Sequence, residues 1–517
     1  MITSMCIAMT KKHKKVPITG TFDKNDQNTA SVPADLNVPS TLGQTKPNPP
    51  GSLSDVLKDE NPELSIPKEV DKKPHKSSKI KKVVLYIVFV ILLISVISFS
   101  VTVIRTVQRR GTAVDLNDKS GELTWWGIED PRVYEEVISL YQQTNPEAKI
   151  IYVQQPNNQY VRKLDNAFTK GNGPDMFSFH NSWSRSYASE LSTIPQEVVS
   201  EDEFKESHYP VISKDLITEN GLVGIPLEYD GLTLYINNDI FLTSGKEEPT
   251  RWDQLKPLAI ELTQRNINGL IAQSGIAMGI TENVDHWQEI IALLMYQNGV
   301  DPENPVGPDA KTVIDYYNSF QSILVWDGSL PPSTVAFAQG DSAMFFGTSK
   351  SARNINFSNE GLNYKSVGLP QVRKDDRLSD DVGYATYWVE GVWSGSAEKG
   401  LAFDFLKFIS DPINLQKISS KSEEVYGVQK IYPRPEMSKL QINDPLIGTI
   451  VSIAPFSESW YLADKTHDEP DGINAQISAI YEELLESAGS LGIIDQIAKD
   501  LVGSLNQVIV FFTTPQE

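Results

Sequence analysis

The chain has few of the residues that build disulfides and metal sites. Its 517 residues include one cysteine, Cys6, and six scattered histidines, none of them paired at a metal-ligand spacing. One cysteine excludes an intramolecular disulfide, and the histidines give no zinc motif. The chain also lacks a nucleophile elbow, a phosphate-binding loop and a dinucleotide-binding glycine motif. We therefore expect no metal and no other cofactor, and a protein that is not an enzyme.

Positive charge is scarce beyond the first 82 residues. Residues 1–82 carry 14 lysines against 9 acidic residues, whereas residues 83–517 carry 32 basic and 58 acidic residues, a balance of 32 − 58 = −26. So acidic a region lacks the basic face that phosphate contacts require. We expect no nucleic-acid partner, and solubility is sufficient reason for the acidic excess.

Residues 1–82 have no tryptophan and no tyrosine and are rich in proline, lysine and small polar residues. Such a segment cannot bury enough apolar surface to offset the entropy lost on ordering. We predict a disordered tail.

Residues 83–104 form a run of 22 residues without a charge. At about 1.5 Å per residue, a helix of this length is about 33 Å long, which is enough for a hydrocarbon core of about 30 Å. The run has no polar face and begins too late for a cleaved signal peptide. We predict one uncleaved transmembrane helix in the lipid bilayer, followed by a tether at residues 105–120.

Flanking positive charge predicts the orientation of this helix. Six lysines precede it within residues 72–82, and three arginines follow it within residues 105–110. Because lysine and arginine favour the cytoplasmic side, we predict a single-pass protein of the cell membrane. Its N-terminus is then cytoplasmic and its C-terminal domain, residues 121–517, extracellular.

Beyond residue 120 the apolar pattern alternates between strands and helices. Strands are predicted at 123–126, 149–153, 175–179 and 232–236, and helices at 133–141, 160–170, 252–265, 402–409 and 475–487. This alternation is typical of a parallel sheet with crossover helices. The expected fold class is α/β.

Several motifs follow one another in a family-like order. They are TWWG at 124–127, AFTKGNGPD at 167–175, GIP at 224–226, LYINND at 234–239, PTRWD at 249–253 and FAQGDSAM at 337–344. With this order and spacing, residues 122–508 resemble bacterial extracellular solute-binding protein family 1, the group that contains maltodextrin-binding proteins. The resemblance implies a two-lobed, type II periplasmic-binding-protein-like fold. It also implies a small solute in the interlobe cleft, closure around it, and recognition by a membrane-embedded ABC permease.

The resemblance implies a carbohydrate ligand, held by aromatic faces and a few polar groups. The candidate ligand-binding residues are Trp126, Asp130, Phe179, Asn181, Trp183, Asp230, Trp460 and Tyr461. Core packing is an equal alternative for Trp126. Asp230 either accepts from sugar hydroxyls or, as an equal alternative, caps a turn or faces water. Trp125, on the opposite face of its strand, is expected in the core.

One position departs from the family pattern. Maltodextrin binders carry a tryptophan shortly after the Ala343-Met344 pair, and Lys350 stands at about that place here. A missing stacking face argues against a long oligosaccharide. The lysine either favours an anionic solute or lies on the surface, and the surface is the simpler expectation.

Two other functions stay open. A glycan-cleaving enzyme needs two carboxylates at a defined distance in space, and adjacent pairs such as Glu129-Asp130 and Asp375-Asp376 arise by chance among 67 acidic residues. The second is a ligand sensor or surface-interaction protein that keeps the binding fold, which the long predicted tail would suit.

Overall fold

The structure is a computed structural model that describes residues 114–374, 377–378, 381–463, 468, 472–487 and 494–513, all within the compact unit Tyr86–Glu517. The predicted tail, the predicted transmembrane helix, Cys6 and Asp375-Asp376 lie outside these residues. Among the helices that the structure describes, none combines the length and apolarity needed to span a bilayer.

Fifteen strands and sixteen α-helices make up the described part of the chain. The strands are β1 Gly121–Gly127, β2 Ala148–Gln154, β3 Met176–His180, β4 Ile217–Thr218, β5 Gly221–Leu222, β6 Thr233–Asn237, β7 Gln264–Arg265, β8 Ile271–Gln273, β9 Met344–Gly347, β10 Tyr364–Val367, β11 Arg373–Lys374, β12 Arg377–Leu378, β13 Gly383–Tyr384, β14 Trp388–Val392 and β15 Ser457–Glu458. The helices are α1 Glu135–Thr144, α2 Tyr160–Thr169, α3 Glu201–Ser207, α4 Pro210–Leu216, α5 Asn238–Ser244, α6 Trp252–Leu262, α7 Trp287–Gln297, α8 Pro308–Ser322, α9 Ser333–Gln339, α10 Ser349–Ser358, α11 Lys399–Ile409, α12 Pro412–Tyr426, α13 Pro435–Ser438, α14 Gly448–Ile453, α15 Ile473–Ser487 and α16 Ile494–Thr513.

Each strand and helix predicted from the apolar pattern is confirmed, with ends shifted by a few residues. The largest shift is at the end of α6, which stops at Leu262 rather than at residue 265. Gln264 and Arg265 instead form β7, which pairs with β8. Competition from this small hairpin ends the helix early.

Lobe 1 is built around a four-stranded sheet in the order β14-β3-β1-β2. β1 is parallel to β2 and β3, as predicted, while β14 is antiparallel to β3. Leu123 and Trp125 point into the core and are fully buried, and Trp126 on the opposite face is half-buried. Trp125 is thus a core residue, as expected, and its Nε1 donates to Glu390 Oε2 at 2.7 Å.

Lobe 2 is built around a three-stranded sheet in the order β10-β6-β9. Both neighbours are antiparallel to β6, so the prediction of parallel pairing was wrong for this sheet. An apolar run in one strand does not specify the direction of its neighbours. Both faces are covered: Leu234 and Ile236 pack into one core, whereas Tyr235 stacks on Phe345 in the other.

The chain crosses between the lobes where Gly231 pairs with Ala385, and again beside β13 and β15, which pair in parallel. A Cβ on Gly231 would lie 2.8 Å from the carbonyl oxygen of Tyr384. Only glycine fits this close approach of two backbones. The crossings fix the floor of a cleft that opens between the lobes.

Candidate functional site

A cavity of about 150 Å³, here called the central cavity, lies between the two lobes. Lobe 1 contributes Asn157, His180, Glu228, Thr386, Tyr387 and Trp388, the crossing contributes Asp230, and lobe 2 contributes His286, Glu289, Thr334, Thr348, Lys350, Ser351 and Asn354. A molecule in this cavity contacts both lobes at once.

Two strand ends bring an imidazole and an indole to the lobe 1 wall. His180 is the last residue of β3 and pairs directly with Trp388, the first residue of β14. Their rings lie 5.8 Å apart, edge to face. Ligand sites in open α/β sheets lie at the carboxyl ends of strands, and His180 stands at such an end.

His180 is held as a neutral group. Burial, together with the nearby charge of Lys350, lowers the pKa of His180 to about 3. Its Nδ1 lies 2.8 Å from Ser182 Oγ and its Nε2 lies 3.0 Å from Thr386 Oγ1. The ring therefore fixes the two hydroxyls, and does not act as a charged group at neutral pH.

The Asp230 side chain is hydrogen-bonded to the first turn of α10. Its carboxylate accepts hydrogen bonds from the Ser349 backbone N–H at 2.9 Å, from Ser349 Oγ at 2.8 Å and from the Lys350 N–H at 3.3 Å. A carboxylate at a helix N-terminus satisfies N–H groups that have no partner within the helix. Of the two interpretations given for Asp230, capping fits this geometry, and its contact with a ligand stays a prediction.

Four charged side chains form a buried cluster beside the cavity. Arg353 of lobe 2 lies 3.5 Å from Glu129 and 3.0 Å from Glu228, and Lys430 lies 3.3 Å and 2.6 Å from the same two carboxylates of lobe 1. Burial alone would raise the pKa of Glu228, but the charges of Lys430 and Arg353 lower it below its usual range. The cluster ties the lobes together.

His286 stands on the opposite wall in an uncommon backbone conformation. It precedes α7 with φ 64° and ψ 19°, the left-handed region. A non-glycine residue held there costs of the order of 1–3 kcal/mol, and such residues cluster at functional sites. The conformation places His286 Nε2 2.9 Å from Ser351 Oγ and Nδ1 3.4 Å from Glu289 Oε1.

Lys350 is half-buried and faces the central cavity, so the expectation of a surface position was wrong. Its Nζ lies 5.7 Å from the centre of the Trp388 ring. Burial lowers the pKa of Lys350. Within the described residues, Nζ forms no ion pair and no hydrogen bond.

A second interlobe cavity of about 330 Å³, here called the hinge-side cavity, lies near the crossings. Its walls include Asn181 from lobe 1 and Trp460 and Tyr461 from lobe 2. Between them, Asp215 accepts hydrogen bonds from Asn181 Nδ2 at 2.9 Å and from Ser459 Oγ at 2.5 Å. Burial raises the pKa of Asp215 to about 6.

The candidate residues are thus divided among different surroundings. Asn181, Trp460 and Tyr461 line the hinge-side cavity and Asp230 lines the central cavity. The other four, which line neither cavity, are Trp126, Asp130, Phe179 and Trp183.

Each of these four has a structural partner. Asp130 accepts from the backbone N–H of Arg132 and forms an ion pair with its guanidinium. Phe179 and Trp183 are 0% and 1% exposed and pack in the core of lobe 1, and Trp126 packs partly against that core. Phe179 and Trp183 are buried, so contact of either with a ligand would require the lobes or side chains to move. Ligand contact by Trp126 and Asp130, which are half-buried, stays a prediction.

The sequence analysis did not single out Trp388 or Asn157. Trp388 reaches the cavity because β14 pairs with β3 in a register that sets it opposite His180. The pairing joins positions about two hundred residues apart along the chain, which apolar periodicity within one segment does not encode. The only signal was an aromatic pair, Tyr387-Trp388, at the start of an apolar run.

A family model described as bacterial extracellular solute-binding protein matches residues 136–440, more than half of the chain. No curated protein matches the chain.

Solved structures share the fold. A solute-binding protein of an ABC transporter from Thermotoga lettingae, bound with alpha-D-tagatose, is 18% identical with a TM-score of 0.58, and covers 75% of this chain and 100% of its own. The cyclic alpha-maltosyl-1,6-maltose binding protein from Arthrobacter globiformis and the sugar-binding protein MalE from Xanthomonas citri are each 15% identical with a TM-score of 0.59, covering 77% of this chain and 100% of their own. The predicted two-lobed α/β fold is therefore confirmed.

Proposed function

The chain belongs to the family of bacterial extracellular solute-binding proteins, and from this premise we infer that its two lobes capture a small carbohydrate for an ABC-type importer. The solved structures that share the fold include sugar-binding proteins of such transporters. The inferred role is binding and delivery, without catalysis.

The observation that carries this proposal is the central cavity, because residues of both lobes line it. A ligand that bridges the lobes stabilises the closed arrangement, since its contacts with one lobe are lost on opening. Trp388 supplies a flat apolar face for the C–H side of a sugar ring. Asn157 Oδ1 is buried, has no hydrogen-bond partner among the residues that the structure describes, and can accept from a sugar hydroxyl.

The closed arrangement has its own contacts across the cleft. Arg353 of lobe 2 reaches Glu129 and Glu228 of lobe 1, and Asn474 Nδ2 donates to Ser182 Oγ at 2.9 Å. These contacts orient the two lobes as one surface, and we infer that a permease recognises this surface. Anchoring by residues 83–104 in the bilayer would keep the binding part close to that permease.

A second candidate site is the hinge-side cavity, because the predicted aromatic pair Trp460 and Tyr461 lines it. A sensor that binds the same sugar without transport is the alternative function. Deleting the gene would then leave sugar uptake unchanged.

The test is the melting temperature of the full chain in detergent, followed by tryptophan fluorescence, against a panel of monosaccharides, disaccharides and longer oligosaccharides. A ligand at about 100 times its Kd adds about 2.7 kcal/mol, which is a shift of a few degrees. Trp388→Ala should abolish the shift if the central cavity is the site, and Trp460→Ala should abolish it if the hinge-side cavity is. A folded protein that responds to no carbohydrate would overturn the proposal.

A further inference from the structure

We propose, on the basis of the function inferred above, that the central cavity selects a single sugar ring with a negatively charged group, a carboxylate or a phosphate, and that Lys350 pairs with that group.

The charged side chains that line the central cavity favour an anion beside Lys350. Of the lining carboxylates, Glu228 is paired with Arg353 and Lys430, and Asp230 is held by the first turn of α10. The third, Glu289, contacts His286 on its own lobe. The lining carboxylates therefore have other partners, and Lys350 is left facing the cavity.

The surroundings of Lys350 also favour a bound anion. Within the described ranges its Nζ has no carboxylate at ion-pair distance, and its close neighbour is the Trp388 ring. A charge partly removed from water without an ionic partner is unfavourable. Burial lowers the pKa of this amine, and an anion bound beside it would remove that penalty.

The size and the lining of the central cavity suit a single ring. A cavity of about 150 Å³ has room for one ring of the size of benzene, and the central cavity has this volume. Trp388 supplies an aromatic ring, Asn157 Oδ1 an acceptor for a hydroxyl, and Lys350 an ammonium group, all at the wall of the central cavity. An aromatic ring, a hydroxyl acceptor and one cation at a small cavity suit a short acidic ligand.

The experiment is calorimetric titration of the full chain in detergent with matched sugars. D-glucuronate and glucose 6-phosphate are compared with D-glucose, and D-galacturonate with D-galactose. The variants are Lys350→Met, which removes the charge at similar volume, Lys350→Arg, which keeps it, and Lys214→Met, which removes a lysine from the hinge-side cavity.

We expect at least one charged sugar to bind about 30-fold or more tightly than its neutral partner, since a lost buried charge pair weakens binding by at least that factor. Lys350→Met should remove this preference, while Lys350→Arg and Lys214→Met should keep it. Comparing the affinities of the uronates with that of the sugar phosphate then shows whether the cavity prefers a carboxylate or a phosphate.

Other results overturn the inference. Neutral sugars that bind as tightly as charged ones would refute the anion preference and leave the proposed function standing. Loss of binding in Lys214→Met alone would move the anion to the hinge-side cavity. Absence of binding by every sugar would remove the proposed function and this inference together.

Discussion

Arg353 Nη2 of lobe 2 lies 3.0 Å from Glu228 Oε2 of lobe 1, and the two side chains are 5% and 12% exposed. Breaking an ion pair with so little water around it destabilises a protein more than breaking a surface pair, because the remaining charge stays buried. Because the two partners of this pair come from different lobes, the distance between them depends on how the two lobes are oriented.

The first prediction concerns this pair. Arg353→Met leaves Glu129 and Glu228 buried with Lys430 as their one remaining cation in the cluster, so we expect a loss of about 3–5 kcal/mol in the free energy of unfolding. Urea unfolding measures it. The control is Lys149→Met, which breaks the exposed pair with Glu122 and should cost about 0–1 kcal/mol. Equal effects of the two variants would contradict the assignment of a buried cluster.

The second prediction concerns pH. Burial raises the pKa of Glu390 from 4.5 to about 7, although Trp125 and Ser178 donate to its carboxylate. Between pH 4.5 and about 7, the folded protein thus keeps a proton on Glu390 that the unfolded chain has already released. Its stability should fall as pH rises through that window, by about 3 kcal/mol from this group.

The measurement is the urea midpoint of wild type and Glu390→Gln at pH 5, 6, 7 and 8. The variant has no proton to lose, so its stability should change less over this range. Glu360→Gln, at an exposed position, should follow the wild type. If the urea midpoints of wild type and Glu390→Gln changed in parallel with pH, the pKa of the Glu390 carboxyl group would not be raised.

The third prediction compares the stability lost when Asp230, the helix cap at the crossing, or Asp411, an exposed helix cap, is removed. Asp230→Ala leaves the buried N–H group of Ser349 and the part-buried N–H group of Lys350 without their acceptor, which should cost about 1–3 kcal/mol for each unsatisfied group. Asp411→Ala removes the exposed cap of α12 and should cost about 1 kcal/mol. Asp230→Asn keeps one acceptor and should be intermediate. The ranking fails if Asp411→Ala is the most destabilising of the three.

The fourth prediction concerns the anchor. The full chain, expressed in a bacterium, should stay with the membrane fraction after washing at high salt and at alkaline pH. Removal of residues 83–104 should release it from that fraction, because the apolar run is the predicted span. A protease added outside cells should cut the part beyond residue 120 and spare the tail. A full chain that washes off the membrane would exclude a spanning helix.

Much of the fold could be predicted from local sequence. The alternation of strands and helices up to residue 180 follows from periodicity and was confirmed. It was predictable because β1, β2 and β3 follow one another in the chain with one short helical connection between each pair. The direction of β9 and β10 against β6 was not predictable in this way. Strand direction depends on how distant segments pack.

The site was less predictable than the fold. The family resemblance pointed to the cleft, but whether a side chain faces it depends on contacts between lobes. Phe179 has the residue type of a stacking partner, yet it is fully buried in lobe 1. Lys350 has the residue type of a surface group, yet it faces the central cavity. Burial of both was decided by neighbours far away in sequence.

Lobe 1 is assembled from two separated stretches of chain, and this has a consequence for its biogenesis. Ser178 of β3 and Glu390 of β14 are in contact although they are 212 residues apart in the chain. At about 5–20 residues per second, synthesis of that interval takes about 10–40 s. During this time the edge of β3 has no β14 to pair with, and an unpaired edge can join another chain. The emerging protein therefore has an interval of this length in which the edge of β3 can pair with another chain, and the interval ends when β14 has been synthesised.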